Sequence, residues 1–277
     1  MKRRILPFFA LLLFFRLSAE GYPFEGVRFQ NGLDYTFSFT DSIYKITKIN
    51  LDYTVTNIEG KYSLREENGY LIADVDYGDH SSEIFIFSAD EKHIILYDNY
   101  LKQQIDATRI KGHTDEPWIW SVCYCTATSY LTELLRGETV EYVPDNFGND
   151  KLLLSWVEGA PGNGIGEKIA FESVTNEVLI GSRRFYIING FFSPDKPSLF
   201  FDNGRIKTFH VKCYDNKKAL VYEGDVELED TGKMQVIEFP VRCCAFEFEI
   251  TDVYPGRKYE DTAITAIYVD ALNMYEP

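Results

Sequence analysis

The run Ser155-Trp156-Val157-Glu158-Gly159-Ala160-Pro161-Gly162-Asn163-Gly164-Ile165-Gly166-Glu167-Lys168-Ile169 decides how this chain is read. It passes from an apolar pair, through a glycine-rich loop, into a segment, Lys168-Ile169-Ala170-Phe171, that reads as a strand. Glycine adopts positive φ without a steric penalty, so Gly159, Gly162, Gly164 and Gly166 predict tight turning before that strand. The spacing Gly162-x-Gly164-x-Gly166 also invites a phosphate-loop reading. Such loops need a strand before and a helix after, with the helix N-terminus facing the phosphate. Here a strand follows, and Glu158 and Glu167 bring the wrong charge. Dinucleotide binding is not expected.

Further strand-like segments lie around this run: Trp120 to Thr126, Arg184 to Asn189, Thr208 to Tyr214, Lys218 to Glu223, Met234 to Phe239, Ala245 to Val253 and Ala263 to Val269. Their number and spacing suit a β-sandwich of two packed sheets. Upstream, Leu33 to Phe39 alternates in period two. Ile43 to Ile49, Tyr70 to Val75, Glu83 to Phe87 and His93 to Tyr97 continue the pattern, separated by turn signals such as Glu59-Gly60, Asn68-Gly69 and Tyr77-Gly78-Asp79. Strands at this spacing predict a small antiparallel meander or barrel. The polar stretch Asp98 to Pro117 reads as a linker, although Lys102-Gln103-Gln104-Ile105 could instead close the first domain. The expected organisation is a leader at 1–19, a small β domain at 20–110, a linker at 111–120 and a sandwich at 121–277.

The 277 residues carry a formal net charge of -15, and 16% of them are aromatic, which supports an all-β reading. Four basic residues (Lys2, Arg3, Arg4, Arg16) lie in the first 16 positions, and without them 24 basic residues face 43 acidic ones, a balance of −19. A body this acidic repels phosphate backbones, so nucleic-acid binding is excluded, and an electrostatic grip on anionic lipid is disfavoured. Lys2-Arg3-Arg4, an apolar run from Ile5 to Phe15 and small residues ending at Ala19 describe a cleaved secretory signal peptide. The apolar run is too short for a bilayer span. No Cys lies near the cut, so no lipid anchor is expected, and the mature chain is expected to be secreted or periplasmic. Disulfides are permitted there. The five cysteines (Cys123, Cys125, Cys213, Cys243, Cys244) leave at least one unpaired. Buried thiols, one disulfide and a metal site all stay open. Cys243 and Cys244 would face opposite sides of a strand, so only one of them could readily meet Cys123 or Cys125.

Four motifs occur together in a recognisable order. Ser155 to Ile169 resembles the signature of a discoidin-like, galactose-binding-like domain of the type appended to bacterial NAD glycohydrolases. Ile188-Asn189-Gly190-Phe191, Asn203-Gly204-Arg205-Ile206-Lys207 and Val253-Tyr254-Pro255-Gly256-Arg257-Lys258-Tyr259-Glu260-Asp261-Thr262-Ala263-Ile264 resemble further motifs of the same family. The resemblance runs from about Ser121 to Leu272. It implies a jelly-roll β-sandwich with a non-catalytic binding role, in this family usually for glycan. The fold class expected is therefore all-β, a small meander or barrel followed by a discoidin-like jelly-roll sandwich.

A sugar site needs flat aromatic faces with convergent polar groups. The aromatic candidates are Trp156 and Tyr254, with Trp118, Trp120 and Phe192 behind them. For Trp156 a core role holding the glycine-rich loop is the simpler alternative. The polar candidates are Glu158, Asn203, Arg205 and Arg257, with Lys207 and Lys258 as lesser ones. For Arg205 the alternative is a structural ion pair. The resemblance also implies a calcium site, for which Asp145, Asn146 and Asp150 supply oxygens. The family's Glu near the last strand is replaced here by Ala266. No other cofactor is expected.

The sequence offers no catalytic set. His80, His93, His113 and His210 form no metal-spaced pair, and no G-x-S-x-G occurs. The expected partner is a glycan bound without chemistry. The alternative is an envelope structural or assembly protein whose sandwich contacts another protein. The two differ in whether the loop end carrying Trp156 and Arg205 forms a polar-aromatic pocket or a flat apolar patch.

Overall fold

The computed structural model describes residues 22–270, apart from positions 23, 32–34, 51, 89, 91, 110–118, 149, 150, 176, 177 and 180. The expected leader lies outside the described residues, as do Trp118 and Asp150.

Eight antiparallel strands make the first unit: β1 (Arg28–Asn31), β2 (Tyr35–Thr40), β3 (Ile43–Ile49), β4 (Val55–Glu67), β5 (Tyr70–Asp76), β6 (Ser81–Phe87), β7 (His93–Asp98) and β8 (Gln103–Arg109). Each pairs with the next, and β1 pairs with β8, so the meander closes into a barrel without free edges. Alternate side chains point inward, and Phe37, Phe39, Tyr44, Ile46, Leu71, Val75, Ile84, Ile86, Ile94 and Leu96 fill the interior. Eight strands enclose a space that side chains can fill. On β3 and β4 the outward face is mostly polar, with Lys45 bonded to Glu59 at 2.5 Å and Ile49 and Val55 exposed at one end. Among the described residues no helix is long and apolar enough to cross a membrane.

The second unit comprises β9 (Ile119–Ser121), β10 (Cys123–Ala127), β11 (Thr132–Leu135), β12 (Glu138–Glu141), β13 (Trp156–Val157), β14 (Lys168–Glu172), β15 (Val174–Thr175), β16 (Val178–Leu179), β17 (Ser182–Asn189), β18 (Gly204–Tyr214), β19 (Leu220–Glu227), β20 (Met234–Cys243), β21 (Ala245–Tyr254) and β22 (Thr262–Asp270). One face of the sandwich runs β10-β14-β21-β18, with β19 on β18; the other runs β22-β17-β20, with β9 and β13 on β22. The faces join where Gly204 and Arg205 pair in parallel with Thr262 and Ala263. Between them lies a core that includes Trp156, Phe171, Phe185, Ile187, Phe209, Phe246, Phe248 and Ile267.

The two sheets differ in how their strands alternate. In β14 and β21, apolar Ile169, Phe171, Phe246, Phe248 and Ile250 alternate with Lys168, Ala170, Glu172, Glu247 and Glu249, so one face meets solvent. In β17 and β22 the apolar residues are continuous. Phe185, Ile187, Ile267 and Val269 face the sandwich core, while Tyr186, Ile188, Ala266 and Tyr268 face away from it. Barrel strands β5, β6 and β7 are also apolar on both faces, and turn Tyr70, Ile72, Phe85, Phe87, Ile95 and Tyr97 outward. These two surplus apolar faces bury each other in one layer.

Phe192, on the connection from β17 to β18, is the centre of that layer. Its ring meets Phe87, Phe85, Tyr70 and Tyr97 edge-on, with centroids 5.1, 5.2, 5.4 and 5.6 Å away. Polar bonds rim the layer. The Tyr70 hydroxyl donates to the Phe191 carbonyl at 3.0 Å, the Tyr186 hydroxyl to Asp90 at 3.0 Å, and the Gly232 amide to the Gly69 carbonyl at 2.9 Å.

One sequence reading is decided and two change. Of the two readings of Asp98 to Pro117, closure of the first domain is the one the structure takes at Gln103–Arg109, which is β8; Ile119 and Trp120, expected in the linker, belong to β9. Strand β4, the longest of the barrel, falls where turn signals were read, because its outward side chains are charged or small and it carries Gly60.

The shared layer predicts that barrel and sandwich unfold together. Calorimetry of the full chain gives one transition, and Phe192→Ala lowers its stability by about 3–5 kcal/mol, the usual cost of emptying a core aromatic site. Two separated transitions would contradict the layer.

Candidate functional site

The loop end of the sandwich is built around β13. Trp156 pairs with Ile264 on β22, its ring is fully buried edge-on to Phe147, and its Nε1 donates to the Ser129 carbonyl at 3.1 Å. It is a core residue and offers no face to a ligand, which corrects the expectation of a sugar platform there. Beyond it the loop turns as its glycines require, with φ of +106°, +77° and +91° at Gly162, Gly164 and Gly166. Gly159 answers a different constraint: a Cβ there would lie 2.3 Å from the Tyr130 carbonyl oxygen.

Glu158 lies beneath this loop and is fully buried. Its Oε2 accepts the Ala160 amide at 2.7 Å, while Oε1 has no partner among the described residues. The Cα of Gly164 sits directly on it, since a Cβ at that position would be 2.8 Å from Glu158 Cγ. Burial pushes the carboxyl up to about 7, against the bonds from Ala160 and Thr262. Neighbouring Asp261 and Glu167 push in the same direction as burial. A carboxyl so enclosed is a structural acid holding the loop, not a contact for a sugar hydroxyl.

Arg205 is also a structural group. Its guanidinium is bidentate on Asp230, at 3.0 and 2.9 Å, and donates to the carbonyls of Asn203 and Pro255 at 2.8 and 2.9 Å. It lies against the rings of Phe200 and Phe201 and is almost fully buried. Four of its five N–H donors are engaged within the protein, as a structural ion pair requires. Asn203 is buried and donates to the Leu199 carbonyl at 2.8 Å from the last turn of helix α1 (Leu199–Asp202). The Tyr254 hydroxyl donates to the Leu228 carbonyl at 3.0 Å. Lys207 and Lys258 are paired with Asp252 and Asp202. Of the predicted loop-end residues, Arg257 remains exposed, with its guanidinium 4.6 Å from the centre of the Phe201 ring.

Of the calcium candidates, two lie among the described residues. Asp145 is exposed on a single helical turn, the Asn146 side chain donates to the Ser155 carbonyl at 3.0 Å, and Asp150 lies outside the described residues. No group of three or more metal-ligating side chains occurs among the described residues. Ala266, standing where the family has Glu, is buried in the layer shared with the barrel, where a carboxylate would be desolvated.

A concave site lies elsewhere, on the solvent face of the sheet β10-β14-β21-β18. Ala170 stands opposite Glu247, and Ala245 lies between Glu172 and Tyr214. The two small side chains make the floor of a hollow of about 500 Å³, walled by Tyr124, Thr126, Glu172, Tyr214 and Glu247. Tyr124 is the feature that sequence reading missed. It is the extra residue of a β-bulge, since Cys123 pairs with Glu172 and Thr126 with Ala170. The bulge holds it at φ +51° and leaves its ring 65% exposed. A non-glycine residue held in the left-handed region at a bulge is a recurrent feature of functional sites. In the sequence, Trp120 to Thr126 alternates large and small side chains without a break and reads as one strand, so the bulge left no signal there. Beside the hollow, Lys168 pairs with Glu249 at 3.1 Å and Glu247 at 3.6 Å.

The Glu158 carboxyl makes stability depend on pH. Folded, it titrates near 7; unfolded, near 4.5. The folded state therefore holds the proton more tightly. Its contribution is complete below the unfolded value and is lost as pH rises through 7, on the order of 2–3 kcal/mol. The wild-type Tm falls between pH 5 and pH 8, and Glu158→Gln, which keeps a neutral group there, removes several degrees of that fall. Equal slopes for the two proteins would contradict the assignment.

Comparison with known proteins places the second unit. Residues 121–270 match the family model described as NAD glycohydrolase translocation F5/8 type C domain. Among solved structures, the chain is similar to module CpGH89CBM32-5 from Clostridium perfringens in complex with GalNAc-β-1,3-galactose (TM-score 0.38, 14% identity, 53% of this chain and 94% of that one). It is also similar to the family 32 module of C. perfringens NanJ in complex with galactose (0.36, 13%, 52% and 90%) and to a putative chitobiase fragment from Bacteroides thetaiotaomicron (0.41, 13%, 57% and 95%). No curated protein matches the chain. The family model spans more than half of the 277 residues and coincides with the stretch that carries the four motifs, so the chain belongs to the NAD glycohydrolase translocation F5/8 type C domain family.

Proposed function

We propose that this is a secreted, non-catalytic glycan-binding protein whose saccharide lies in the hollow on the solvent face of the sandwich. The observation that carries the reading is Tyr124, an exposed ring held out by a bulge at the rim of a concavity of sugar size. The C–H face of a pyranose packs on such a ring, while carboxylates such as Glu172 and Glu247 accept from its hydroxyls. The walls carry no cation, and the molecule is strongly acidic, so the ligand class is a neutral saccharide; sialylated and uronic-acid glycans are disfavoured. The family resemblance points the same way.

A second reading, contact with an envelope protein, is favoured by one feature. The β11–β12 hairpin presents Leu134, 73% exposed, and Leu135, 46% exposed, at its turn. Apolar residues at such a tip suit a protein surface.

A glycan array with the mature chain separates the two. Binding to neutral glycans that Tyr124→Ala weakens at least tenfold, with Tm unchanged and Arg257→Ala still binding, is the expected result. Binding indifferent to Tyr124→Ala would remove the hollow from the site. A chain that binds no glycan, yet loses a protein partner on Leu134→Ser with Leu135→Ser, would establish the second reading.

A further inference from the structure

We propose that Cys213 and Cys243 form a disulfide that staples the two sheets of the sandwich at their shared corner. Cys213 lies near the end of β18, in the solvent-facing sheet, and Cys243 is the last residue of β20, in the barrel-facing sheet. Both are fully buried in the same apolar core. Packed sheets stand about 10 Å apart, whereas a disulfide needs Cα atoms within about 7 Å, so most cross-sheet pairs are too distant. This pair escapes the limit because the chain itself crosses here. Cys244 alone connects β20 to β21, its amide donates to the Tyr214 carbonyl at 2.7 Å, and Ala245 then pairs with Tyr214. Cys213 itself stands opposite Phe246, three residues beyond Cys243, and both cysteines turn into the same core, where the two thiols, free in the structure, contact each other.

The other cysteines do not compete. Cys125 packs on Gly148 and faces the Val122 carbonyl, Cys123 is exposed on β10, and the Cys244 sulfur lies beside Gly181. The sequence reading considered Cys123 and Cys125 as partners for the tandem pair; the fold supplies Cys213 instead.

The step is thiol–disulfide exchange with an exogenous disulfide such as oxidised glutathione. One cysteine thiolate attacks it, forming a mixed disulfide and releasing one thiol. The second cysteine attacks the protein sulfur of that mixed disulfide and releases the other thiol. The protein loses two protons and two electrons, and the oxidant gains them. Mutual contact and burial push the Cys213 thiol far up, so the folded dithiol is unreactive and the bond forms while the chain folds.

The experiment is oxidative refolding of the reduced, unfolded full chain in a glutathione redox pair, followed by a thiol count in denaturant without reductant. Three reactive thiols and a loss of 2 Da relative to the reduced chain are expected; five thiols would overturn the proposal. Trypsin should then yield residues 213–217 linked to residues 243–257. Because the second fragment also holds Cys244, Cys244→Ser must retain the link; its loss, or a link to Cys123 or Cys125, would likewise overturn it. The oxidised protein should melt about 10 °C above the reduced one, as expected for a staple across a loop of this length.

Discussion

The burial of Phe192 among Tyr70, Phe85, Phe87 and Tyr97 is the contact on which the molecule depends. Without it the barrel would expose an apolar stripe on β5–β7, and the sandwich would expose another on β17 and β22. Neither unit is a complete globule, and each covers the other. The layer also constrains the last strand. Ala266 is buried in the same cluster as Tyr70 and Phe192, and a carboxylate there would have to be buried beside aromatic rings.

Covering one face decides what the other surfaces can do. The barrel occupies the outer side of β22-β17-β20, so the sandwich meets solvent through its opposite sheet and its loops. At the loop end, the polar groups that look most like a ligand site are already engaged. Arg205 holds Asp230 and two carbonyls, Trp156 fills the core, and Glu158 supports the glycine-rich turn. These are the residues that give the loops their shape. On the solvent-facing sheet of the sandwich, the hollow around Ala170 and Ala245 is concave, and the bulge at Tyr124 places a ring at its edge.

Most of the architecture was legible from pattern. Period-two alternation located β2, β14, β18 and β21, because one face of each strand must be apolar, while β5, β6 and β7 showed as short apolar runs between turn signals. The glycines at 162, 164 and 166 announced their positive φ. The docking of barrel on sandwich was written in the same place, as the loss of alternation in Tyr70-Leu71-Ile72-Ala73, Ile84-Phe85-Ile86-Phe87 and Arg184-Phe185-Tyr186-Ile187-Ile188, strands buried on both faces. Strand β4 escaped because its long outward face is polar and Gly60 looks like a turn. The site escaped for a different reason. Motif residues such as Trp156 and Arg205 are specific because the fold needs them, whereas a hollow made by two alanines from strands far apart in sequence leaves no local trace.

With the barrel on one sheet, the proposed saccharide site falls on the other. Amide hydrogen exchange of the full chain, with and without a saturating neutral saccharide, tests this most directly. Added protection is expected in residues 123–127, 168–172 and 245–247, with the loops at 130–136 and 257–261 unchanged. Protection confined to those loops, with the sheet face unaltered, would contradict it.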